Sequence, residues 1–146
     1  MKNEMELTFS AIAENEVLSR MVISAFLVRV NPTMSLISEV RTAVSEAVTN
    51  AIVHAYHERD TGKVVLRAAL EEDRVIIEVE DFGCGIENIE RAMTPFYTSQ
   101  PEKERSGMGF SLMQSFMDGI TVTSQPGKGT RVTMTKLLCE DGINAI

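Results

Sequence analysis

An acid and an amide lie four residues apart inside an apolar stretch of this chain, and they are Glu46 and Asn50. At helical spacing, side chains four residues apart lie one above the other on the same face. A carboxylate there can accept a proton, and an amide oxygen can hold a hard cation. The two groups could therefore serve one ligand, although an ordinary polar pair on a helix flank has the same pattern.

Two glycine-containing segments follow this pair along the chain. Asp81-x-Gly83-x-Gly85 comes after a predicted strand, and Gly107-x-Gly109 precedes a predicted helix. Glycines at a helix start let backbone amides meet phosphate oxygens at the positive end of the helix dipole. An aspartate at a strand end can accept a hydrogen bond from the exocyclic amine of adenine. Each segment alone is equally consistent with a tight turn.

Two familiar nucleotide motifs are excluded. Residues 127–130 (GKGT) lack the upstream glycine of a P-loop and follow no strand-to-helix crossover. Residues 81–83 (DFG) have the letters of a protein-kinase triplet, but no HRD stretch precedes them, and 146 residues are too few for that fold.

The helix that must position the acid and the amide is predicted from its periodicity. It begins at a Thr33 or Ser35 cap and runs to about His57. Glu46 and Asn50 flank its apolar face, on a side that we expect another element to cover. The predicted core face comprises Ile37, Val40, Val44, Ala47, Val48, Ala51, Ile52 and Ala55.

The other elements follow from alternation and turn residues. We expect a strand at 4–9, a helix capped by Asn15 that Asn31-Pro32 ends, and hairpins at 63–81 and 120–136. Between the hairpins lie a lid at 88–106 and a helix that begins near Gly109. The pattern predicts a single α+β domain over residues 1–146, a two-layer sandwich with a mainly antiparallel mixed sheet covered on one face by helices.

Composition narrows the functional classes. The formal charge of −7 argues against binding nucleic acid through its phosphates, and Cys84 and Cys139 have no metal-site spacing. No apolar run is long enough for a membrane helix, and no signal peptide opens the chain, so we expect a cytoplasmic protein.

The ordered set of motifs resembles the ATP-binding domain of gyrase B, the Hsp90 chaperones, MutL and the histidine kinases, known as the Bergerat fold. The motifs are the acid and amide pair, the DxGxG segment, a lid, GxG and residues 129–130, and they span nearly the whole chain. Residues 44–52 and 104–110 further resemble the serine-kinase anti-sigma factors of sporulating Gram-positive bacteria.

The resemblance implies roles for individual residues. Glu46 would be the base for the incoming serine hydroxyl, and Arg105 would meet the γ-phosphate of ATP. Asn50 would hold Mg²⁺, and Asp81 would bind the adenine amine with help from Thr130. Further nucleotide-pocket and lid residues would be Gly83, Gly85, Thr98, Ser106, Gly107 and Gly109.

The same resemblance implies partners. Such a protein binds and inhibits a sporulation sigma factor of the sigma F type and phosphorylates a serine of its anti-anti-sigma antagonist. Glu16 and Arg20 would contact both partners, and the first strand and helix would pair two copies as a homodimer. Nucleic acid and membrane are not expected partners.

Three alternatives remain open: a general-stress anti-sigma kinase of the sigma B type, an ATP-dependent binding module without kinase activity, and a stand-alone ATPase. Gln100, Phe82 and Cys84 depart from the residues usual in this family. Residues 140–146 match no motif.

Overall fold

The computed structural model describes residues 2–56, 62–93 and 109–138. The order of elements agrees with the sequence-based expectation. The elements are β1 (Asn3–Ser10), α1 (Glu14–Leu27), a 3-10 turn (Val28–Val30), α2 (Met34–Asn50), a π-helical turn (Ala51–Ala55), β2 (Lys63–Glu71), β3 (Arg74–Asp81), α3 (Ile89–Ala92), α4 (Gly109–Phe116), β4 (Gly119–Gln125) and β5 (Gly129–Leu137).

The five strands form one sheet in the order β1-β2-β3-β5-β4, and all four pairings are antiparallel. This confirms the predicted α+β class, although the described strands pair only antiparallel and so do not form the mixed sheet that was expected. In this order β5 lies between β3 and β4, although β4 precedes it along the chain. The register places Asp81 at the end of β3 directly opposite Thr130 at the start of β5.

One face of the sheet carries the core. Alternate apolar side chains of the strands pack against α1, α2 and α4, because successive strand residues point to opposite faces. The opposite face carries a charged group in which Arg67 contacts Glu6, Glu78 and Glu80 at 2.7–2.8 Å. These pairs are partly exposed, so each adds little to stability.

Helix α2 lies at the centre of the helical layer. Thr33 caps it as predicted, because the Thr33 side chain accepts a hydrogen bond from the Leu36 amide at 3.2 Å. The predicted core face is buried except at its two ends, where Ile37 and Ala55 are half-buried. The helix ends as a π-helical turn at Ala55, two residues before the predicted boundary.

One local expectation is wrong, and another is only partly covered by the described residues. Asn15 does not cap α1, which begins at Glu14 without a side-chain cap; the Asn15 amide instead donates to the Ser10 carbonyl at 2.9 Å. The predicted lid at 88–106 is described only to residue 93, where it forms the single turn α3, capped by Asn88. Residues 94–106 lie outside the described ranges.

Ile77, at the centre of β3, is fully buried, whereas its neighbour Ile76 faces the other side of the sheet and is half-buried. We expect Ile77→Ala to lower the free energy of unfolding by about 2–5 kcal/mol, since the cavity cannot collapse fully. Ile76→Ala is the matched control and should cost less than half as much. Urea unfolding measures both, and equal losses would contradict the assignment of faces.

Candidate functional site

The acid and the amide of α2 lie against the start of α4. A Cβ atom built on Gly109, the first residue of α4, would lie 3.3 Å from Glu46 Oε2 and 3.4 Å from Asn50 Oδ1. Both polar side chains therefore reach the same point, as the four-residue spacing predicts. We call this group of three residues the acid–amide corner.

Helix α4 is the element that covers this flank of α2. The two helices pack together, and Thr42 and Thr49 on the flank are half-buried while Val53 is buried. Because Gly109 has no side chain, the start of α4 can approach the carboxylate and the amide closely. The expectation that this flank is covered is confirmed.

A second polar group lies where β3 ends. Asp81 is only 7% exposed, and its Oδ1 accepts hydrogen bonds from the Gly83 amide at 3.0 Å and the Thr130 amide at 3.3 Å. The first bond closes an Asx turn, and the second follows from the register that sets Asp81 opposite Thr130. We call Asp81, Gly83 and Thr130 the aspartate corner.

Two residues that the sequence analysis missed support the aspartate corner. The Ser124 hydroxyl lies 2.9 Å from Thr130 Oγ1 and accepts from the Ile86 amide at 2.7 Å. The Tyr56 hydroxyl accepts from the Phe82 amide at 2.6 Å and donates to the Lys63 carbonyl at 2.7 Å. Ser124 could have been found, because a hairpin with its turn at 126–128 pairs it with Thr130.

Glycines let the segment after Asp81 pass close to other backbone. A Cβ on Gly83 would lie 2.3 Å from the Ala55 carbonyl oxygen, and one on Gly85 would lie 2.3 Å from that of Gln125. Gly85 also has a φ of +76°, which side-chain-bearing residues rarely adopt. The absence of side chains at Gly83 and Gly85 therefore permits these close backbone approaches, whereas the role of both residues in the nucleotide pocket stays a prediction.

The two corners are connected through one helix. The Ala55 carbonyl, at the end of the π-helical turn, accepts a hydrogen bond from the Cys84 amide at 3.0 Å. Asn50 is five residues earlier, so it lies roughly 8 Å along the axis from this contact at the rise of a helix. A ligand with a flat ring and a charged tail could therefore contact both corners.

Burial raises the pKa of the Asp81 carboxyl to about 6, although the hydrogen bonds from the Gly83 and Thr130 amides act in the opposite direction. The nearby charge of Glu80 raises the pKa further. At neutral pH the group is therefore mainly a carboxylate, which can accept a hydrogen bond from a ligand amine.

The donor set of the acid–amide corner fits a cation that also binds phosphate. Within the described ranges there is no cluster of three or more His, Cys, Asp or Glu residues that could enclose a metal by itself. Mg²⁺ is usually held by one or two protein oxygens while phosphates and water supply the rest. The Asn50 amide oxygen is a suitable protein ligand of that kind.

Glu16 and Arg20 lie on α1, which is not one of the elements that form the two corners. Glu16 Oε1 is 2.9 Å from Arg20 Nε, and the same oxygen accepts a hydrogen bond from the Ser45 hydroxyl of α2. The pair is thus attached to α2 at the residue next to Glu46, a link that the sequence analysis did not foresee. Val17, Leu18 and Met21 are exposed large apolar residues on the same helix.

Four of the predicted site residues lie outside the described ranges: Thr98, Arg105, Ser106 and Gly107. Their predicted roles remain predictions. No helix in the described part of the chain is long and apolar enough to cross a membrane.

The raised pKa of Asp81 makes a prediction about stability without ligand. The folded state holds the proton more tightly than the unfolded state, so the contribution is complete below pH 4 and is lost as pH rises through about 6. Asp81→Asn removes this loss. Relative to wild type, we expect the variant to gain about 1 kcal/mol between pH 5 and pH 7.5 in urea unfolding. Asp73→Asn, in an exposed turn, should show no such gain, and a gain absent from Asp81→Asn would contradict the burial argument.

The sequence of the chain matches known proteins with an ATPase domain over most of its length. Residues 9–136 match the histidine kinase-like ATPase domain family. The anti-sigma F factor of Clostridium acetobutylicum is 52% identical over 136 residues, which cover 93% of this chain and 94% of that protein. The anti-sigma F factors of Oceanobacillus iheyensis and Bacillus subtilis are 48% and 46% identical over 138 residues, with 94% of each chain covered.

Solved structures support the fold. A mycobacterial sensor histidine kinase, MprB, superposes with a TM-score of 0.56 at 17% identity, covering 97% of this chain and 100% of that one. The catalytic domain of the histidine kinase ThkA gives 0.57 at 15% identity, covering 91% and 95%. These structures show the fold, and the sequence matches show that this chain belongs to the histidine kinase-like ATPase family, and within it to the anti-sigma F factors.

Proposed function

We propose that the chain binds Mg-ATP, phosphorylates a serine of an anti-anti-sigma protein, and binds and inhibits a sporulation sigma factor of the sigma F type. The observation that carries the proposal is the acid–amide corner, where a carboxylate and a carboxamide meet the glycine start of a helix. The backbone amides at this start favour phosphate oxygens. A base and a cation ligand then lie beside the phosphates.

The roles of the corner follow from the chemistry of phosphoryl transfer. The serine oxygen forms a bond to the γ-phosphorus as the bond to the β–γ bridging oxygen breaks, and ADP leaves with that electron pair. Glu46 accepts the hydroxyl proton. Such reactions depend on positioning and charge neutralisation more than on covalent catalysis, so one base, one cation ligand and amide donors are sufficient.

Asn50 is the proposed protein ligand of Mg²⁺, which would neutralise the phosphate charge when bound. The chain itself holds the amide oxygen of Asn50 beside Gly109, where both would contact the phosphates of a bound nucleotide. Arg105, whose position is not described, is proposed by resemblance to contact the γ-phosphate.

The aspartate corner is proposed to bind the adenine. Asp81 accepts a hydrogen bond from the exocyclic amine, and Thr130 assists from the neighbouring strand. The Asp81 carboxylate is held in place by two backbone amides, so it does not need to reorganise when the base arrives. Buried acceptors of this kind discriminate strongly against bases that lack the matching donor.

The partners are proposed from the relatives, which are named anti-sigma F factors. Glu16 and Arg20 are proposed to contact the sigma factor and the anti-anti-sigma protein at overlapping positions on α1. Strand β1 is an edge strand of the sheet, and with α1 it is proposed to pair two copies in a homodimer. An exposed edge of this kind is available for pairing.

A binding module without kinase activity is the main alternative. In that case Glu46 would serve only as a polar neighbour of the nucleotide. A general-stress kinase of the sigma B type would have the same corners and differ only in its partners. Binding to purified sigma factors of the F and B types would distinguish it from the proposed function.

We expect Glu46→Gln to lower phosphate transfer to the anti-anti-sigma protein by about 10²–10⁴-fold, since the amide cannot accept the proton. ATP affinity should change little, because the two side chains are nearly isosteric. Transfer of radioactive γ-phosphate at saturating ATP measures the rate, and equilibrium dialysis measures the affinity.

Glu72→Gln, in the exposed turn between β2 and β3, is the matched control and should keep full activity. Full transfer by Glu46→Gln would rule out Glu46 as the base. No transfer by the wild-type chain, with ATP still bound, would favour the binding module.

A further inference from the structure

Lys136 connects three elements on the helical side of the sheet. Its side chain is 15% exposed, and its Nζ donates to Glu39 Oε2 at 2.8 Å and to the Phe116 carbonyl at 2.6 Å. Lys136 belongs to β5, Glu39 to α2, and Phe116 is the last residue of α4. One ammonium group therefore connects the end of α4 to both the sheet and α2.

The contact suits the end of a short helix. The last carbonyl groups of a helix have no intrahelical partner, and a cation there also interacts favourably with the helix dipole. An eight-residue helix is too short to be stable by itself, so its position depends on its tertiary contacts. Partial burial of the Lys136 charge is offset because Glu39 pairs with it and the Phe116 carbonyl accepts a further hydrogen bond from it.

The two ends of α4 both meet α2. At its start, Gly109 lies against Glu46 and Asn50; at its end, Lys136 bridges Phe116 to Glu39, seven residues before Glu46 on the same helix. Because α4 is a single regular helix of about 12 Å, a shift at its end would be transmitted to its start.

Asp118 holds the same end of α4 to the sheet. Its amide donates to the Thr135 carbonyl at 2.8 Å, and its carboxylate accepts from the Leu137 amide at 2.6 Å. These bonds involve β5 alone. Lys136 adds the connection to α2, which is the helix that carries the acid and the amide.

We propose that Lys136 is a positioning residue that sets where the start of α4 lies relative to Glu46 and Asn50, and so controls binding of the phosphate end of the nucleotide. The proposal rests on the proposed nucleotide site. Lys136 should act on the acid–amide corner only, because the hydrogen bonds and ion pairs described above include no contact between Lys136 and the aspartate corner. Loss of Lys136 should therefore affect phosphates and spare adenine.

The test compares the dissociation constants of ADP and AMP, which share adenine but differ by the β-phosphate, in the full chain with Mg²⁺. Lys136→Met keeps the aliphatic stem and removes both hydrogen bonds. We expect the preference for ADP over AMP to fall about tenfold. Misplacing a positioning group by about 1 Å can lower the rate at such a site by about 100-fold, and we expect a smaller effect on binding. AMP affinity should stay within about twofold of wild type, because AMP lacks the β-phosphate and its adenine binds at the other corner.

Three further measurements make the result specific. Lys136→Arg, which can donate to both partners, should restore most of the ADP preference. Arg131→Gln removes a basic side chain from the opposite face of the same strand and should leave the preference unchanged. Glu39→Gln keeps the Phe116 bond and should give an intermediate loss, which also provides a folded variant if Lys136→Met is unstable.

If Lys136→Met and Glu39→Gln weaken the binding of ADP and AMP equally, the variants have lost structure in general, and the positioning role is overturned. An unchanged preference for ADP over AMP would also overturn it. A wild-type chain that binds neither nucleotide would instead contradict the proposed nucleotide site, and Lys136 would then have no phosphate to position.

Discussion

Burial of the apolar face of α2 is the constraint on which the candidate site depends. Six residues of that face are buried from Val40 to Ile52, against the sheet and α1. Once this face is fixed, the pitch of the helix leaves no freedom for Glu46 and Asn50, which must lie together on the adjoining flank. The chemistry of the corner is thus set by packing, and the same helix leads through its π-helical turn to the aspartate corner.

The aspartate corner depends on a different kind of order. Asp81 is held by strand register and by close backbone approaches that only glycines permit, so its position is set by the fold itself. Burial raises its pKa from that of an exposed aspartate to about 6, which is still below neutral pH. Burying the Asp81 carboxylate at neutral pH lowers the folding stability. Such unfavourable environments are typical of groups that serve binding or catalysis.

The sequence was sufficient where the signal was local or periodic. The helical period of α2, the alternation of β3 and the Thr33 cap all predicted the observed elements, and the four-residue spacing predicted the acid–amide pair. Contacts between distant segments were not accessible in this way. Nothing in the sequence pairs Lys136 with Glu39, or Ser45 with Glu16, because these contacts arise only when α1, α2 and β5 are packed together. Asn15 shows the reverse case, in which a favourable cap residue finds a different partner in the Ser10 carbonyl.

The two corners are proposed to be the two ends of one nucleotide site, with a cation at the acid–amide corner. NMR spectra of the chain with ATP, and with trace Mn²⁺ in place of Mg²⁺, would show whether one ligand reaches both. We expect chemical-shift changes at both corners on adding ATP, and paramagnetic broadening that is strongest at the Asn50 and Gly109 amides and weaker at Thr130. Broadening centred elsewhere, for instance around Glu78 on the open face of the sheet, or shift changes confined to one corner, would contradict this proposal.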